Sequence, residues 1–323
     1  MKKNWLYLMG FAILAVLPFV FSNAYKLHLL IIMAINVIFA SSLNLISGYV
    51  GELSLGHAAF AGLGAYAAGF LALKGISPWL GLITAVVITL VVSFLMAPVV
   101  LRLRGAYFVI TSSAFQMALF YLASNWLNVT RGPMGLLGIP KPALLIPGFG
   151  SVLLESKLSF YFLSVILAVL IVIACHRLVA SPIGETWVAI RENEKLAVAL
   201  GIDRFKYVRI AFVFAGVFAG IGGWLLAHYV TVVSPDNMSF EHTVSMILMI
   251  VIGGRGTIAG PIIGAAVVTL LPEYLRWMGN WRMSVYGMIL FLLVIFLPKG
   301  IMQLWGTISQ KGILAGLVIP RKE

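Results

Sequence analysis

Long apolar stretches recur along almost the whole chain, and each is long enough to cross a membrane. A transmembrane helix needs about 20 mainly apolar residues to span roughly 30 Å of hydrocarbon. Segments of this kind lie at residues 5–22, 27–47, 53–73, 79–101, 106–127, 158–176, 208–233 and 283–298. A further apolar region, 243–271, is broken by GGRGT and forms either one kinked span or two short ones. We therefore expect an all-α, polytopic membrane helix bundle with about ten transmembrane helices, or nine if 243–271 is a single span.

Composition indicates that lipid surrounds most of the chain. Of its 323 residues, 62% are hydrophobic and 10% are charged, whereas an ordinary soluble chain is roughly 45–50% apolar and about 25% charged. A net charge of +12 would favour nucleic acid as the partner of a soluble protein, but in a membrane protein it is typical of cytoplasmic loops. The single cysteine, Cys175, excludes an internal disulfide and a cysteine-built metal site. One transmembrane domain over residues 1–323 is expected, with lipid and not nucleic acid as its surroundings.

The distribution of Lys and Arg predicts the orientation of the bundle. Lys2 and Lys3 place the N-terminus in the cytoplasm by the positive-inside rule. The loop 177–209 then lies inside and carries six Lys or Arg, whereas the periplasmic loop 128–157 carries three. If 243–271 enters and leaves the membrane, the C-terminus is also cytoplasmic. The N-terminus resembles a secretion signal as well, but its apolar run is slightly long for a cleaved signal, and a retained first span is preferred.

Several kinds of chemistry are missing from the sequence. All ten acidic residues lie at span ends or in loops, whereas proton- and sodium-coupled carriers usually hold an ionisable residue near the membrane midplane. The five histidines are scattered, with no HExxH pattern, and the dipeptide Gly-Lys of a P-loop never occurs. We therefore expect no enzyme activity, no metal and no cofactor. If ATP drives this protein, another chain must hydrolyse it.

Neutral polar residues within the spans form two helical stripes. One comprises Asn36, Ala40, Asn44 and Ser47, and the other Ser112 and Gln116. These residues either form hydrogen bonds between helices, worth about 0.6 kcal/mol each, or line a translocation path. Small residues also recur every four positions, which is typical of close helix packing; they are Ala61, Ala65 and Gly69, then Ala211, Ala215, Ala219 and Gly223, then Gly256, Gly260 and Gly264.

Two glycine-broken segments resemble one another. Aligned on Gly51 and Gly254, both follow the pattern Gly-x-x-Ser/Thr-aliphatic-small. Paired glycine interruptions in the two halves of a transporter indicate its substrate path, since unwound backbone at membrane depth must be covered by protein or line a cavity. The expected path residues are Asn44, Ser54, Gly56, His57, Gly253, Gly254, Gly256 and Thr257. His57 alternatively forms a hydrogen bond to a neighbouring helix, which is the preferred interpretation for that residue.

A short polar segment, ENEKLAVALG at residues 192–201, separates two apolar spans. Ser181 followed by Pro182 is a helix start signal, and Gly201 is a stop signal. Leu196, Ala199 and Leu200 give the helix a narrow apolar edge. This helix either docks a cytoplasmic partner or lies on the lipid surface.

Three ordered motifs, GYVGELSLGHAAF, AIRENEKLAVALGI and GGRGTIAGPIIGA, resemble the permease subunits of branched-chain amino acid ABC transporters. The likeness covers about residues 30–300 and is greatest to the Liv-type subunit that carries the AIREN-type loop. It implies a bacterial inner-membrane permease that works with a second related permease, two cytoplasmic ATPases and a periplasmic binding protein. It also implies that the ATPase-coupling residues are Glu192, Asn193, Glu194, Ala197 and Gly201.

The resemblance leaves the substrate open. Similar permeases carry branched-chain amino acids, other hydrophobic amino acids, urea or short amides, and selectivity rests largely with the binding protein. Glu185 departs from the family pattern, because a basic residue is expected there, and this puts one contact to the ATPase in doubt. A stand-alone secondary carrier is the competing class, but it would lack its usual coupling acid.

Overall fold

The computed structural model describes residue 18 and residues 23–146, 150–153, 156–297 and 300–302. The helices are α1 (Ala24–Asn44), α2 (His57–Leu73), α3 (Pro78–Val100), α4 (Ala106–Asn125), α5 (Leu127–Thr130), α6 (Lys157–Val179), α7 (Pro182–Glu192), α8 (Glu194–Ala199), α9 (Arg204–Val230), α10 (Phe240–Gly253), α11 (Gly260–Tyr274) and α12 (Arg282–Phe296). The strands are β1 (Leu136–Leu137), β2 (Ala143–Ile146), β3 (Gly150–Leu153) and β4 (Val232–Val233). The predicted all-α class is confirmed, with strands confined to the connections.

Most of the predicted spans are confirmed as helices. Within the described residues, the stretches long and apolar enough to cross a membrane are Ala24–Val50, Pro78–Val100, Ala106–Asn125, Lys157–Val179, Arg204–Val230 and Gly260–Phe296. Two apolar helices are shorter, His57–Leu73 and Phe240–Gly253. The last long stretch is interrupted at Gly279, which has non-helical backbone angles. Apart from residue 18, the predicted first span, 5–22, lies outside the described residues.

The helix that begins the described bundle ends in an unusual turn. Residues Leu45–Val50 continue α1 as a π-helix, which Gly51 ends with a φ of 91°. Glycine populates that left-handed region without the steric penalty of a Cβ atom. The predicted span 53–73 accordingly starts as a helix only at His57, because residues 51–56 are non-helical.

The broken region 243–271 consists of two antiparallel helices. A Cβ atom at Gly253 would collide with the carbonyl of Gly260, and one at Gly264 with the carbonyl of Met249. The backbones of α10 and α11 therefore touch at two points, one beside the turn and one farther along the two helices. The turn residue Gly254 has a φ of 120°. The Tyr25 hydroxyl donates to the Glu273 carboxylate, so the end of α11 lies beside the start of α1.

Small residues join α2 to α9. A Cβ atom at Gly64 would collide with the carbonyl of Gly220, and one at Gly223 with the carbonyl of Ala61. Ala61, Ala65, Ala211, Ala215 and Ala219 are all buried. The stripes predicted from the sequence therefore do bring helix backbones into contact.

The connections at one end of the bundle form two small sheets. Strand β1 pairs with β4, joining the loop after α5 to the end of α9, and β2 pairs with β3 within a hairpin. Trp79 Nε1 donates to the Ala143 carbonyl at 2.7 Å and fixes the hairpin to α3. The opposite end carries α7 and α8, which lie where α1 ends and α9 begins.

Candidate functional site

Asn44 binds the second glycine-broken segment to the end of α1. Its Oδ1 accepts from the Gly256 backbone N–H at 3.0 Å, and its Nδ2 donates to the Thr257 carbonyl at 2.8 Å. Asn44 is 2% exposed, so both hydrogen bonds lie inside the protein, where an unpaired amide would be costly. Three of the predicted path residues are thereby brought together.

The turn around Gly254 closes on itself. The Thr257 hydroxyl donates to the Gly254 carbonyl at 2.8 Å and accepts from the Gly260 N–H at 3.0 Å. Gly253 packs against Gly260, as described above. Gly256 has a φ of 69°. These glycines let the backbone reverse direction while its polar groups stay satisfied.

The first glycine-broken segment is held by serines from two helices. The Ser54 N–H donates to Ser47 Oγ at 3.2 Å, and the Leu55 N–H donates to Ser112 Oγ at 3.1 Å. A Cβ atom at Gly56 would lie 2.5 Å from the Ser112 carbonyl oxygen. In both broken segments the next helix starts six residues after the first aligned glycine, at 57 after Gly51 and at 260 after Gly254.

His57 forms a hydrogen bond between helices. Its Nε2 lies 2.7 Å from Ser42 Oγ, and the Ser42 hydroxyl donates to the Phe39 carbonyl at 2.8 Å. Because the Ser42 hydroxyl already donates to the Phe39 carbonyl, Ser42 Oγ accepts the hydrogen bond from His57. The His57 hydrogen therefore lies on Nε2. In this conformation His57 links α1 to α2.

Gln116 contributes to a second buried link. Thr243 Oγ1 donates to Gln116 Oε1 at 2.7 Å and accepts from the Ala58 N–H at 3.1 Å. Three helices, α2, α4 and α10, therefore meet at one hydroxyl. Thr243 was not among the predicted site residues, because a lone threonine in an apolar helix gives no sequence signal.

A small cavity lies beside the Asn44 contacts. The hydroxyls of Ser41 and Tyr49 are buried there without a hydrogen-bond partner among the described residues. Ser41 and Tyr49 are only 5% and 2% exposed. The cavity is lined by Ser41, Asn44, Tyr49, Val172, Cys175, Ile258 and Pro261.

The polar loop helix is divided at Asn193. The sequence predicted one helix with start and stop signals at Ser181 and Gly201, whereas two helices, α7 and α8, occupy this stretch. Asn193 has extended backbone angles, and its side chain accepts from the Leu196 N–H at 3.0 Å, so it caps α8. Gly201 has a φ of 86° and allows the chain to turn into α9.

The predicted coupling residues differ in what they contact. Ala197 is 3% exposed and faces the protein core. Glu194 Oε1 lies 2.7 Å from Arg104 Nη1 and 3.2 Å from Arg204 Nε. Glu192 is exposed and pairs with its neighbour Arg191 at 2.9 Å. Ala197 and Glu194 therefore attach α8 to the bundle, while Glu192 stays at the surface.

The predicted apolar edge of α8 faces outward. Leu196 is 55% exposed and Leu200 74% exposed, and Ala199 between them is also exposed. Large apolar side chains held at a polar surface are typical of contact surfaces.

Two arginines that the sequence prediction omitted connect this region to the spans. Arg204 is 6% exposed and forms ion pairs with Glu52 and Glu194. Arg191 Nη1 donates to the Gly48 carbonyl at 2.8 Å. The sequence marked both only as charges in a basic loop, since their partners lie far away along the chain.

Among the described residues, no group of three His, Cys, Asp or Glu side chains could hold a metal ion. The contacts found here are hydrogen bonds and ion pairs between helices. Such an arrangement positions segments relative to one another.

Comparisons with known proteins agree on one family. A family model described as "Branched-chain amino acid transport system / permease component" matches residues 25–297. The chain is 29% identical over 322 residues to the high-affinity branched-chain amino acid transport system permease protein LivM of Salmonella typhimurium strain LT2, covering 94% of this chain and 76% of that protein. LivM of Escherichia coli strain K12 shows the same identity and coverage.

A more distant relative has another named solute. The fructose import permease protein FrcC of Rhizobium meliloti is 22% identical over 228 residues, covering 68% of this chain and 62% of that protein. No solved structure gives a significant match to the chain. These relatives are transport permeases and not enzymes. The family match spans most of the chain, so this protein belongs to the branched-chain amino acid permease family and is a membrane-embedded permease component of an ABC transporter.

Proposed function

We propose that this chain is the permease subunit of an ABC importer for branched-chain or related amino acids in the bacterial inner membrane. Its partners would be a second related permease, two cytoplasmic ATPases and a periplasmic binding protein. The observation that carries the proposal is the exposed apolar edge of α8, Leu196, Ala199 and Leu200, on a helix that ion pairs attach to the bundle.

The α7–α8 pair fits an ATPase-docking element. The chain lacks the Gly-Lys dipeptide of a P-loop, so in an ATP-driven importer another chain would hydrolyse the ATP. Docking through α8 would place Leu196 and Leu200 in a groove of the ATPase and leave Glu194 and Ala197 to fix the helix from behind. In this arrangement Asn193 and Gly201 set the ends of the docking helix, and Glu192 lies at its rim.

The proposed topology has ten crossings with both termini in the cytoplasm. It counts α10 and α11 as two short crossings, since they are antiparallel, and places a reversal at Gly279 between α11 and α12. It also counts the first predicted span. The basic loop 177–209 then lies inside and the loop 128–157 outside, in agreement with the positive-inside rule.

The proposed path runs along the two glycine-broken segments and their neighbours. Asn44, Ser54, His57 and Thr257 offer neutral polar groups there, and Gly56, Gly253, Gly254 and Gly256 let backbones approach. In this conformation Asn44, His57 and Thr257 and the Ser54 N–H are hydrogen-bonded within the protein, so a path would open by separating them from their partners. A neutral or zwitterionic solute is favoured, because the acidic residues lie at span ends or in loops and not near the middle of a span. The LivM relatives support branched-chain amino acids as that solute.

The function is tested by reconstitution in liposomes. The chain alone is compared with a complex that also contains the proposed sister permease, the two ATPases and the binding protein. We expect uptake of radiolabelled leucine only for the complete complex with internal ATP. Labelled urea and fructose, measured in parallel, test the other solute classes.

Uptake by the chain alone under a proton or sodium gradient would contradict the proposal and favour a secondary carrier. ATP-driven uptake of urea or fructose in place of leucine would support an ABC importer but contradict the proposed substrate.

A further inference from the structure

The carbonyl of Gly48 lies in the π-helical turn Leu45–Val50 that continues α1. The last carbonyls of a helix have no partner within it, and their partial negative charge favours a cation. Arg191, at the end of α7, supplies that cation by donating from Nη1 at 2.8 Å. This contact joins the α7–α8 pair to the π-helical turn, 143 residues apart along the chain. π-Helical turns occur frequently at functional sites.

Glycines from both broken segments make room for the Arg191 side chain. A Cβ atom at Gly51 would lie 2.7 Å from Arg191 Cγ, and one at Gly256 would lie 2.5 Å from Nη1. Both distances are too short for non-bonded atoms. One arginine therefore lies between the first and second broken segments, and glycine at each point of contact leaves room for its side chain.

The contact extends to the second broken segment through Asn44. A Cβ atom at Gly48 would lie 2.6 Å from the Gly256 nitrogen, so the two backbones touch. Asn44, one turn before Gly48, holds Gly256 and Thr257 through its amide. A displacement of Arg191 therefore acts on the π-helical turn directly and on the 254–259 turn through its neighbours.

The other partner of Arg191 is weaker. Glu192 Oε1 lies 2.9 Å from Nη2, but the Glu192 side chain is 55% exposed, and exposed ion pairs contribute little. The Arg191 side chain itself is 32% exposed. Its hydrogen bond to the Gly48 carbonyl is thus the stronger constraint on its position.

We propose that Arg191 is a positioning residue that transmits movement of the α7–α8 pair to both glycine-broken segments. The proposal rests on the proposed function, since it assumes that an ATPase moves this pair. Arg191 would contact neither solute nor nucleotide. It would link ATP hydrolysis to opening of the path.

The first test replaces the guanidinium in the complete reconstituted complex. Arg191→Gln should assemble and hydrolyse ATP, while solute transported per ATP falls about tenfold, within the usual range of coupling between linked sites. Arg191→Lys keeps one donor and should lose less. Arg177→Gln, which removes another exposed charge, in the last turn of α6, is the control and should keep the wild-type ratio.

A second test leaves the arginine in place. Gly51→Ala adds a methyl group that crowds Arg191 Cγ. Gly75→Ala is the control: Gly75 has a similar positive φ, 77° against 91° at Gly51, but no atom lies within 4 Å of its Cβ position. Both carry similar backbone strain, so only Gly51→Ala should lower the transport-to-ATP ratio. Gly51→Ala therefore still tests the role of Arg191 if the Arg191→Gln complex fails to assemble.

Wild-type ratios in both Arg191→Gln and Gly51→Ala would overturn the inference. So would a proportional loss of hydrolysis and transport, which indicates a merely structural role. Absence of ATP-driven uptake by the wild-type complex would instead contradict the proposed function.

Discussion

At the scale of single residues, Arg204 is a buried charge with several partners. It is buried at the start of α9, pairs with Glu52 and Glu194, and donates to the Leu101 carbonyl at 3.0 Å. Its partners come from the first broken segment, the end of α3 and α8. Removing one member of a buried ion pair leaves a buried charge uncompensated.

We therefore predict that Arg204→Met strongly destabilises the permease. Breaking a buried pair costs about 3–5 kcal/mol, and thermal unfolding in detergent should shift to a clearly lower temperature. Arg282→Met is the matched control, because its pair with Glu273 is more exposed, with side chains 27% and 24% accessible, and should cost about 1 kcal/mol or less. Equal shifts for both variants would contradict this account.

Some site residues could be predicted from the sequence and others could not. Asn44, Gly256 and Thr257 stood out as a polar residue in a span and as a glycine break, and they do meet. Arg191 and Arg204 could not be assigned roles from the sequence, because their partners are far away along the chain. Only the fold brings Arg191 to the Gly48 carbonyl and Arg204 to the carboxylates of Glu52 and Glu194. Thr243 gave no signal, since its neighbours Ala58 and Gln116 belong to other helices.

At the scale of elements, the short helix α8 combines a buried side with an exposed one. Ala197 and Glu194 face the bundle, whereas Leu196 and Leu200 project outward. Fixing a helix from behind leaves its outer edge rigid, which lowers the entropic cost of docking.

We predict that Leu196→Asp and Leu200→Asp each reduce copurification of the ATPase subunits. Loss of an apolar anchor residue at an interface typically reduces the binding free energy by about 2 kcal/mol or more. A loss of that size weakens binding roughly 30-fold. Ile76→Asp, an exposed apolar position at the opposite end of the bundle, is the control. Unchanged copurification in the two leucine variants would favour a helix that lies on the lipid surface.

Hydropathy predicted where the membrane helices lie, but it did not predict their irregular turns and breaks. The spans 27–47, 79–101 and 158–176 correspond to α1, α3 and α6 within a few residues, because length and apolarity alone set them. The π-helical turn escaped prediction, since its hydrogen-bond register is a property of packing. The division of the loop helix at Asn193 was also missed, although asparagine is a preferred N-cap residue.

At the scale of the whole molecule, the antiparallel pair of α10 and α11 decides how many times the chain crosses the membrane. Tyr25 contacts Glu273, and Asn44 contacts Gly256 and Thr257. Helix α11 therefore runs back along α1 toward its start. Asn280, just after Gly279, then lies on the same side as Tyr25.

We predict that a cysteine at Asn280 is labelled from outside in intact cells. Cys175→Ala removes the only native thiol, and single cysteines at Asn128, Lys195 and Asn280 are then exposed to a membrane-impermeant maleimide. Asn128 and Asn280 should react, and Lys195 should react only after permeabilisation. Protection of Asn280 in intact cells would instead support nine crossings.

The glycine contacts between helices have a consequence for movement. Where the backbones of α2 and α9 touch through Gly64 and Gly223, and those of α10 and α11 through Gly253 and Gly264, no compressible side chain separates the partners. Each pair is thus a stiff block that resists internal sliding. Any change in which side of the membrane the path faces must be absorbed at the joints between blocks, and the π-helical turn and the 254–259 turn are two of them.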